Sequence, residues 1–348
     1  MSIAAKTHKP WRSIDKTVLM QQLIVHLGTP FLAMFITINT GFSGYSGFLV
    51  VWFFLHLVTA SLLGKFGKRK RAVSDSLFEV LSTAAVIAFL LFVISVLEPV
   101  FQLGLENFQV HHLFEDAKDT GVDTSLDIGG LGHALLGTLM TVGLATLFSL
   151  PIGILAALYV TEVRGVLTPF VRFFVQAMSG VPSIIAGLFA YAVLIASGIL
   201  TYSGFVAAIA LSILMLPTVA RTAEEVLKLV PDDLRSAALA LGGTQWRAVR
   251  MVVLPAARSG LVTAAILGIA RVIGETAPLL LTAFGNREYN LNPLEGPIAT
   301  LPTYIFQQFL LGTENDVRRA WVAAFVLLVL VGIVFSLARV VSSRFKQA

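Results

Sequence analysis

The stretch SGLVTAAILGIARVIGETAPLLLTAF, residues 259–284, is apolar over a length that crosses a bilayer. Two ionisable residues, Arg271 and Glu275, lie in its middle. Each costs roughly 2.5–3.5 kcal/mol at a bilayer centre, so they are expected to face a cavity or each other. Their i,i+4 spacing places both on one face of a helix, about one turn apart.

Small residues continue the same helix face towards its N-terminus. Gly260, Ala264 and Gly268 form a small-xxx-small pattern, which is typical of a face packed against other helices. The two charges are therefore predicted to point into a helix bundle and not at lipid. Pro278 follows one turn after Glu275 and is expected to bend the span there.

Two interpretations of this charged pair stay open. It is either a neutralised ion pair that only fixes helix packing, or a polar station on a solute pathway. Arg271 suits an oxyanion, because its planar guanidinium is always charged and can bind two oxygens at once. Glu275 would orient Arg271 and could accept a proton from hydrogen phosphate, which sulfate lacks, so the pair would favour phosphate over sulfate.

The composition identifies a membrane protein. Of 348 residues, 56% are hydrophobic and 13% are charged, and such a chain cannot cover a globular surface with polar groups. The absence of cysteine excludes disulfides and thiolate catalysis. The sequence has no phosphate-binding Gly-x-x-x-x-Gly-Lys-Ser/Thr loop and no nucleophile placed beside a base, so we expect no cofactor on this chain and no enzymatic activity.

Apolar stretches predict eight membrane spans. The first is the weakest, because it carries His26, Gly28, Pro30 and Asn39. The eight stretches cover residues 21–40, 47–64, 77–98, 132–160, 171–197, 203–220, 259–284 and 320–340.

The charge distribution predicts the orientation. With the N-terminus inside, inner segments carry 20 of the 25 Lys and Arg residues, and outer segments carry four. The positive-inside rule then predicts a protein of the cytoplasmic membrane with both termini in the cytoplasm. The basic run Lys65–Arg71 follows an apolar span and is interpreted as a lipid anchor, not a nucleic-acid site.

The longest outer segment, residues 99–131, is acidic and contains His111 and His112. Adjacent histidines in an acidic loop are compatible with a metal site. Since no partner ligand follows at a suitable spacing, we expect a solvated face instead.

Residues 221–258 contain helix start and end signals that a plain linker would lack. Pro231 with two following acidic residues predicts a helix start, and Gly242-Gly243 predicts its end. Thr244 is expected to cap a second helix, which Pro255 would break. The first helix carries small residues, which favour either close docking into a partner's groove or a structured loop.

This segment resembles the coupling loop of ABC importer permeases, through Ala237-Ala238, the following Gly242 and the later Pro255. Ser236 stands where that family usually has Glu. The resemblance implies that the helix docks on a separate cytoplasmic ATPase. The residues that it implies for this coupling are Arg235, Ser236, Ala237, Ala238 and Gly242.

A second resemblance lies in the run Gly-Glu-Thr-Ala-Pro-Leu at 274–279, which is similar to the A-type permease of phosphate-specific ABC importers. The resemblance to this family extends over residues 132–345. It implies an all-α polytopic membrane protein with the type I ABC importer (MetI-like) six-helix core. The first two apolar stretches would be about two extra N-terminal transmembrane helices, in addition to that core. The chain is then expected to divide into a tail at 1–20, an extra hairpin with a basic loop at 21–76, the first core helix and acidic loop at 77–131, and the permease domain at 132–345, with the coupling loop at 221–258.

The resemblance also implies function and partners. The chain would be half of a heterodimeric phosphate channel, with a second permease, a dimer of ATPase subunits that hold Mg-ATP, and an extracytoplasmic phosphate-binding protein. Arg221 and Glu224 would form a second ion-pair station on the pathway, unless Arg221 only anchors its span. Permeases for sulfate, molybdate or phosphonate, a secondary transporter and a structural membrane scaffold are the alternatives.

Overall fold

The computed structural model of the chain describes residues 20, 27–40, 45–66 and 72–344. Most of the predicted N-terminal tail and residues 67–71 of the predicted basic anchor lie outside this part. The regular elements of the described residues are all helical. They are α1 Thr29–Asn39, α2 Tyr45–Phe66, α3 Ala72–Glu106, α4 Gly132–Leu158, α5 Thr168–Ser179, α6 Ser183–Ala190, α7 Gly204–Lys228, α8 Asp232–Ala240, α9 Gln245–Ala248, α10 Leu254–Val272, α11 Ala277–Thr282, α12 Leu301–Leu311 and α13 Glu314–Arg344.

The chain divides into two compact units, Met1–Leu97 and Glu98–Ala348. In the first unit, α1 packs against α2, where Thr29 Oγ1 and His56 Nδ1 are hydrogen-bonded at 2.8 Å. Helix α2 extends over the whole of the predicted second span, residues 47–64. The 11 residues of α1 cover residues 29–39 of the predicted first span, of which residues 21–26 lie outside the described part.

Five described helices are long and apolar enough to cross a membrane, or six if one bent pair counts as a single span. The four predicted spans at 77–98, 132–160, 203–220 and 320–340 are confirmed as long apolar helices. They correspond to Leu81–Glu106, Gly132–Val163, Gly204–Lys228 and Glu314–Val340. The helix Gly204–Lys228 runs beyond the predicted end of its span into the segment predicted to be a loop.

The prediction of one span over residues 171–197 is wrong in shape. Two helical segments, Thr168–Ser179 and Ser183–Ile195, meet there at a bend of 105°. Pro182 lies at the break and has no N–H with which to continue the hydrogen-bond ladder. Its ring also biases the preceding residue towards an extended conformation, so the helix stops before it.

The prediction that Pro255 breaks the second helix of this segment before the next span is also wrong. A continuous helix runs over Gln245–Val272, and Pro255 lies inside it. A π-helical segment, Val249–Val253, comes directly before this proline. The wider π turn accommodates a ring that would otherwise clash with a carbonyl one turn earlier.

Helix α7 lies at the centre of the second unit, where α4 and α10 pack against it. A Cβ on Gly260 would lie 2.3 Å from Val226, and one on Gly268 would lie 2.6 Å from Val219. Ala264 is fully buried. The predicted small-residue stripe on α10 therefore allows close approach to α7, and the two helices run antiparallel.

Candidate functional site

The charged stripe ends at a break in the backbone. Helix α10 stops at Val272, and α11 begins at Ala277, so the predicted span 259–284 is not one helix. Arg271 lies in the last turn of α10, where a cation is favourable for the helix dipole. Glu275 lies in the connection, and its carboxylate forms an ion pair with the Arg271 guanidinium.

The two partners differ in their exposure. The Arg271 side chain is 44% exposed, whereas that of Glu275 is 14% exposed. Glu275 is therefore largely covered and holds one side of the guanidinium, while the other side of Arg271 stays accessible. Such an arrangement can bind an anion without first breaking the ion pair, because guanidinium has five donors.

Two interrupted helices meet beside this pair. A Cβ on Gly187 in α6 would lie 2.5 Å from the Cα of Pro278 in α11, so these short helices are in close contact. Both belong to sequence stretches predicted to be single spans. Non-helical backbone at membrane depth is tolerated only where it is buried in protein or lines a cavity. The breaks at 180–182 and 273–276 are therefore the parts of the bundle best suited to a pathway.

The predicted pair between Arg221 and Glu224 is not formed. Glu224 instead pairs with Arg172 on α5 and with Lys228 one turn along α7, both at 3.0 Å. Arg221 is exposed and has no ion-pair partner among the described residues. The i,i+3 spacing gave no information on Arg172, which the bent fold brings to α7 from 52 residues away in sequence.

Helix α8 has the ends that the sequence predicts. Pro231 precedes its first residue, and Asp232 and Asp233 lie in its first turn. At its C-terminus, Gly243 N–H donates to Ala238 O at 3.2 Å and Gly242 N–H donates to Leu239 O at 3.0 Å. These two bonds form a Schellman motif, with Gly242 in the left-handed region at φ +79°.

The surface of α8 is largely exposed. None of its residues is buried, and Ser236 and Ala237 are exposed while Ala238 is half-buried. Large apolar side chains on and just after the helix are also exposed, namely Leu234, Leu239, Leu241 and Trp246. An exposed apolar face around small residues is suited to docking in a partner's groove.

Arg235 differs from the other residues predicted for coupling, because its guanidinium points into the protein. Its side chain is 15% exposed and pairs with Glu162 at 2.9 Å. It also donates to the backbone oxygens of Leu227 and Val230. The Glu162 carboxylate raises the pKa of Arg235. Arg235 therefore holds α8 in place and does not contribute to its exposed face.

Glu162 is a residue that the sequence analysis did not identify. It lies in the π-helical segment Tyr159–Val163, which extends α4, and its side chain is only 7% exposed. Its backbone oxygen also accepts a hydrogen bond from the Gln245 side chain. The available signal was a single acidic residue at the end of an apolar stretch, in a segment where all other charges are basic.

The prediction that the segment 99–131 presents both histidines on a solvated face is wrong for His112. His112 is buried, accepts from Gln109 N–H through Nδ1 at 3.2 Å and bonds Leu126 O through Nε2 at 2.9 Å. Arg319 of α13 is also buried and donates to three carbonyl oxygens of this segment, those of Thr124, Ser125 and Ile128. Among the described residues, no three His, Asp or Glu side chains come together as metal ligands.

The chain matches a known family over its permease-like part. The family model for the binding-protein-dependent transport system inner membrane component matches residues 149–347, more than half of the chain. The chain belongs to this family. Its members are membrane components of ABC transporters and are not enzymes, and the family description states that their transport depends on a binding protein. ATP hydrolysis therefore resides in a separate subunit.

Curated relatives within this family are phosphate permeases. The chain is 40% identical over 204 residues to phosphate transport system permease protein PstA 1 of Mycobacterium tuberculosis (strain CDC 1551 / Oshkosh), which covers 58% of this chain and 67% of the relative. It is 38% identical over 221 residues to PstA of Yersinia pestis, covering 63% and 74% respectively. PstA of Haemophilus influenzae is 45% identical over 182 residues, which cover 51% of this chain and 64% of that relative. The resemblance to this family is confirmed.

A solved structure supports the fold. A chain from the inward-facing conformations of the MetNI methionine ABC transporter superposes with a TM-score of 0.50 at 21% identity. The match covers 62% of this chain and 94% of that chain. The type I importer fold is thereby confirmed, with five described apolar helices, or six if the bent pair counts as one span.

Proposed function

We propose that this family member is the permease subunit of an ATP-driven importer of inorganic phosphate. The observation that carries the proposal is the Arg271–Glu275 ion pair at a helix break, where Glu275 belongs to the run 274–279 that resembles phosphate-specific permeases. The relatives named phosphate transport system permease proteins support the same substrate. A cation with one accessible side suits a tetrahedral oxyanion.

Glu275 supplies the distinction between phosphate and other oxyanions. Its carboxylate is an acceptor beside Arg271, so it attracts a ligand that presents an O–H and repels one that does not. Hydrogen phosphate carries such a proton, and sulfate does not. The same covered carboxylate would lower the affinity for sulfate through repulsion at close range.

The proposed assembly has four kinds of component. This chain pairs with a second permease of the same fold, and the two enclose the pathway between them. A dimer of ATPase subunits, which hold Mg-ATP, docks on the exposed face of α8 and its counterpart. An extracytoplasmic phosphate-binding protein delivers the substrate, and no nucleic acid takes part.

The proposed orientation places α8 and both termini in the cytoplasm, because the basic residues concentrate on that side. ATP-driven closure of the ATPase dimer would then displace α8 and switch the spans from inward-facing to outward-facing. Phosphate released by the binding protein would pass Arg271. Arg221 lies on α7 nearer to α8 and would be the next cation on the route.

The test is uptake of radiolabelled phosphate by cells that express this chain with its partner subunits and lack their own high-affinity phosphate uptake. We expect uptake that unlabelled phosphate abolishes and that a hundredfold excess of sulfate or molybdate leaves unchanged. Equal inhibition by sulfate would assign the permease to another oxyanion. Uptake that persists without the ATPase subunit would instead identify a secondary transporter.

A further inference from the structure

The guanidinium of Arg235 uses all five of its donors. Nε donates to the Glu162 carboxylate at 3.1 Å, and Nη2 donates to the same carboxylate at 2.9 Å and to Leu227 O at 2.7 Å. Nη1 donates to Val230 O at 2.5 Å and to Asp232 Oδ1 at 3.0 Å. A fully satisfied, bidentate guanidinium has little freedom to reorient.

These bonds connect three elements through one side chain. Arg235 itself lies on α8, and Glu162 lies in the π-helical extension of α4. Leu227 lies in the last turn of α7, and Val230 follows that helix. Gln245, which follows α8, donates to the backbone oxygen of Glu162. The polar contacts therefore hold α8, and the start of α9 that follows it, to the end of the α4 extension.

Burial makes the contact stiff. The paired side chains of Arg235 and Glu162 are 15% and 7% exposed, so water competes little for their hydrogen bonds. Displacing α8 relative to α4 would leave a covered carboxylate without its partner and remove the guanidinium from the carbonyls of Leu227 and Val230, which is costly. A rigid displacement of all three termini together keeps every bond.

We propose that the contact between Arg235 and Glu162 makes α8 one rigid body with the adjoining ends of α4 and α7. Force that a partner applies to α8 then reaches α7 and, through the close contacts at Gly260 and Gly268, the helix that carries Arg271. Arg235 and Glu162 are positioning residues in this account. The role of that movement in transport rests on the proposed function. The rigid contact itself does not.

The experiment compares Arg235→Lys, Glu162→Gln and the double variant in the complete complex, reconstituted in liposomes. Lysine keeps the charge but loses the fork, and glutamine keeps the shape but loses the charge. We expect ATPase subunits to co-purify as in the parent, and phosphate transported per ATP hydrolysed to fall by about tenfold. The double variant should be no worse than either single one. Arg318→Lys, in the exposed ion pair with Glu314, is the matched control.

A second measurement does not depend on the transported solute. The chain has no cysteine, so Val163→Cys and Asp233→Cys place two unique spin labels on the extension of α4 and on α8. We expect a narrow distance distribution that ATP does not change, and a broader, ATP-dependent one in Arg235→Lys.

An unchanged distribution in both variants, with unchanged transport per ATP, would overturn the rigid contact. If the distance distribution broadens in Arg235→Lys but the parent complex does not transport phosphate, the rigid contact is retained and the proposed substrate is rejected. Loss of transport with a distribution that stays narrow would show that Arg235 acts otherwise than by holding α8.

Discussion

The ion pair between Arg271 and Glu275 closes over the end of a helix, since Arg271 lies in the last turn of α10 and Glu275 follows that helix by three residues. Glu275 is the more covered of the two, and Arg271 keeps an accessible side. The pair therefore combines a structural role, which fixes the helix end, with a cation that a passing anion can reach. The two interpretations that the sequence left open are compatible in this geometry.

Glu275→Gln should reduce the discrimination between phosphate and sulfate. The variant keeps an oxygen that can accept a hydrogen bond, but it removes the charge that repels sulfate. We measure the inhibition of labelled phosphate uptake by sulfate, and we expect about tenfold less sulfate to give the same inhibition as in the parent. Unchanged competition by sulfate would place the selectivity outside this pair. Glu314→Gln, in an i,i+4 pair that is exposed, is the control.

Gly242→Ala should weaken the docking of the ATPase subunit. A Cβ at this position meets no neighbour within 4 Å, so the cost is that of the left-handed backbone alone, about 1–2 kcal/mol. We expect less ATPase per permease in co-purification. Gly242→Asn is the matched variant, because asparagine tolerates this conformation, and it should bind the ATPase nearly as the parent does. Equal binding of all three would show that the Schellman motif is not needed for docking.

Glu224 should be coupled energetically to Arg172 and not to Arg221. The contact with Arg172 is at 3.0 Å with Arg172 half exposed, so we expect a coupling of roughly 0.5 kcal/mol. Double-mutant cycles with glutamine at the three positions, measured by thermal unfolding of the complex, check this. A larger coupling between Arg221 and Glu224 would support the pair that the sequence predicted.

Acidification should destabilise the segment 107–131 through His112. Burial lowers the pKa of His112, so the unfolded chain binds the proton more tightly than the folded one. The stability that neutral His112 contributes is therefore fully present above about pH 6.5, and it is lost as the pH falls below that value. Thermal unfolding of the complex between pH 8 and 5 should show a steeper loss in the parent than in His112→Gln. The charges of His111, Glu115 and Arg319 also act on this ring, and equal pH dependence of the two proteins would contradict the role of His112.

The permease fold was accessible from the sequence because its determinants are local. Apolar runs predict spans, and Pro231 with Gly242 predicts the helix α8 between them. The small-residue stripe on α10 also follows from spacing within one helix. Each of these depends on residues that are close in sequence, so the pattern contains the information.

The contacts between distant segments were not accessible in this way. Arg172 reaches Glu224, and Arg235 reaches Glu162, only because the bend at 180–182 and the turn after α7 bring separate helices together. A charge pair 52 or 73 residues apart has no periodic signature. The continuous helix through Pro255 could not be predicted for another reason. A π-helical segment accommodates the proline ring, and the sequence pattern does not reveal that segment.

The most direct test of the central claim is phosphate uptake by the complex with Arg271→Leu. The account predicts loss of uptake with normal assembly and nearly normal basal ATPase activity, while Arg318→Leu, in the exposed i,i+4 pair with Glu314, transports as the parent does. Uptake that survives in Arg271→Leu would contradict the account, because Arg271 would then lie outside the pathway of the anion.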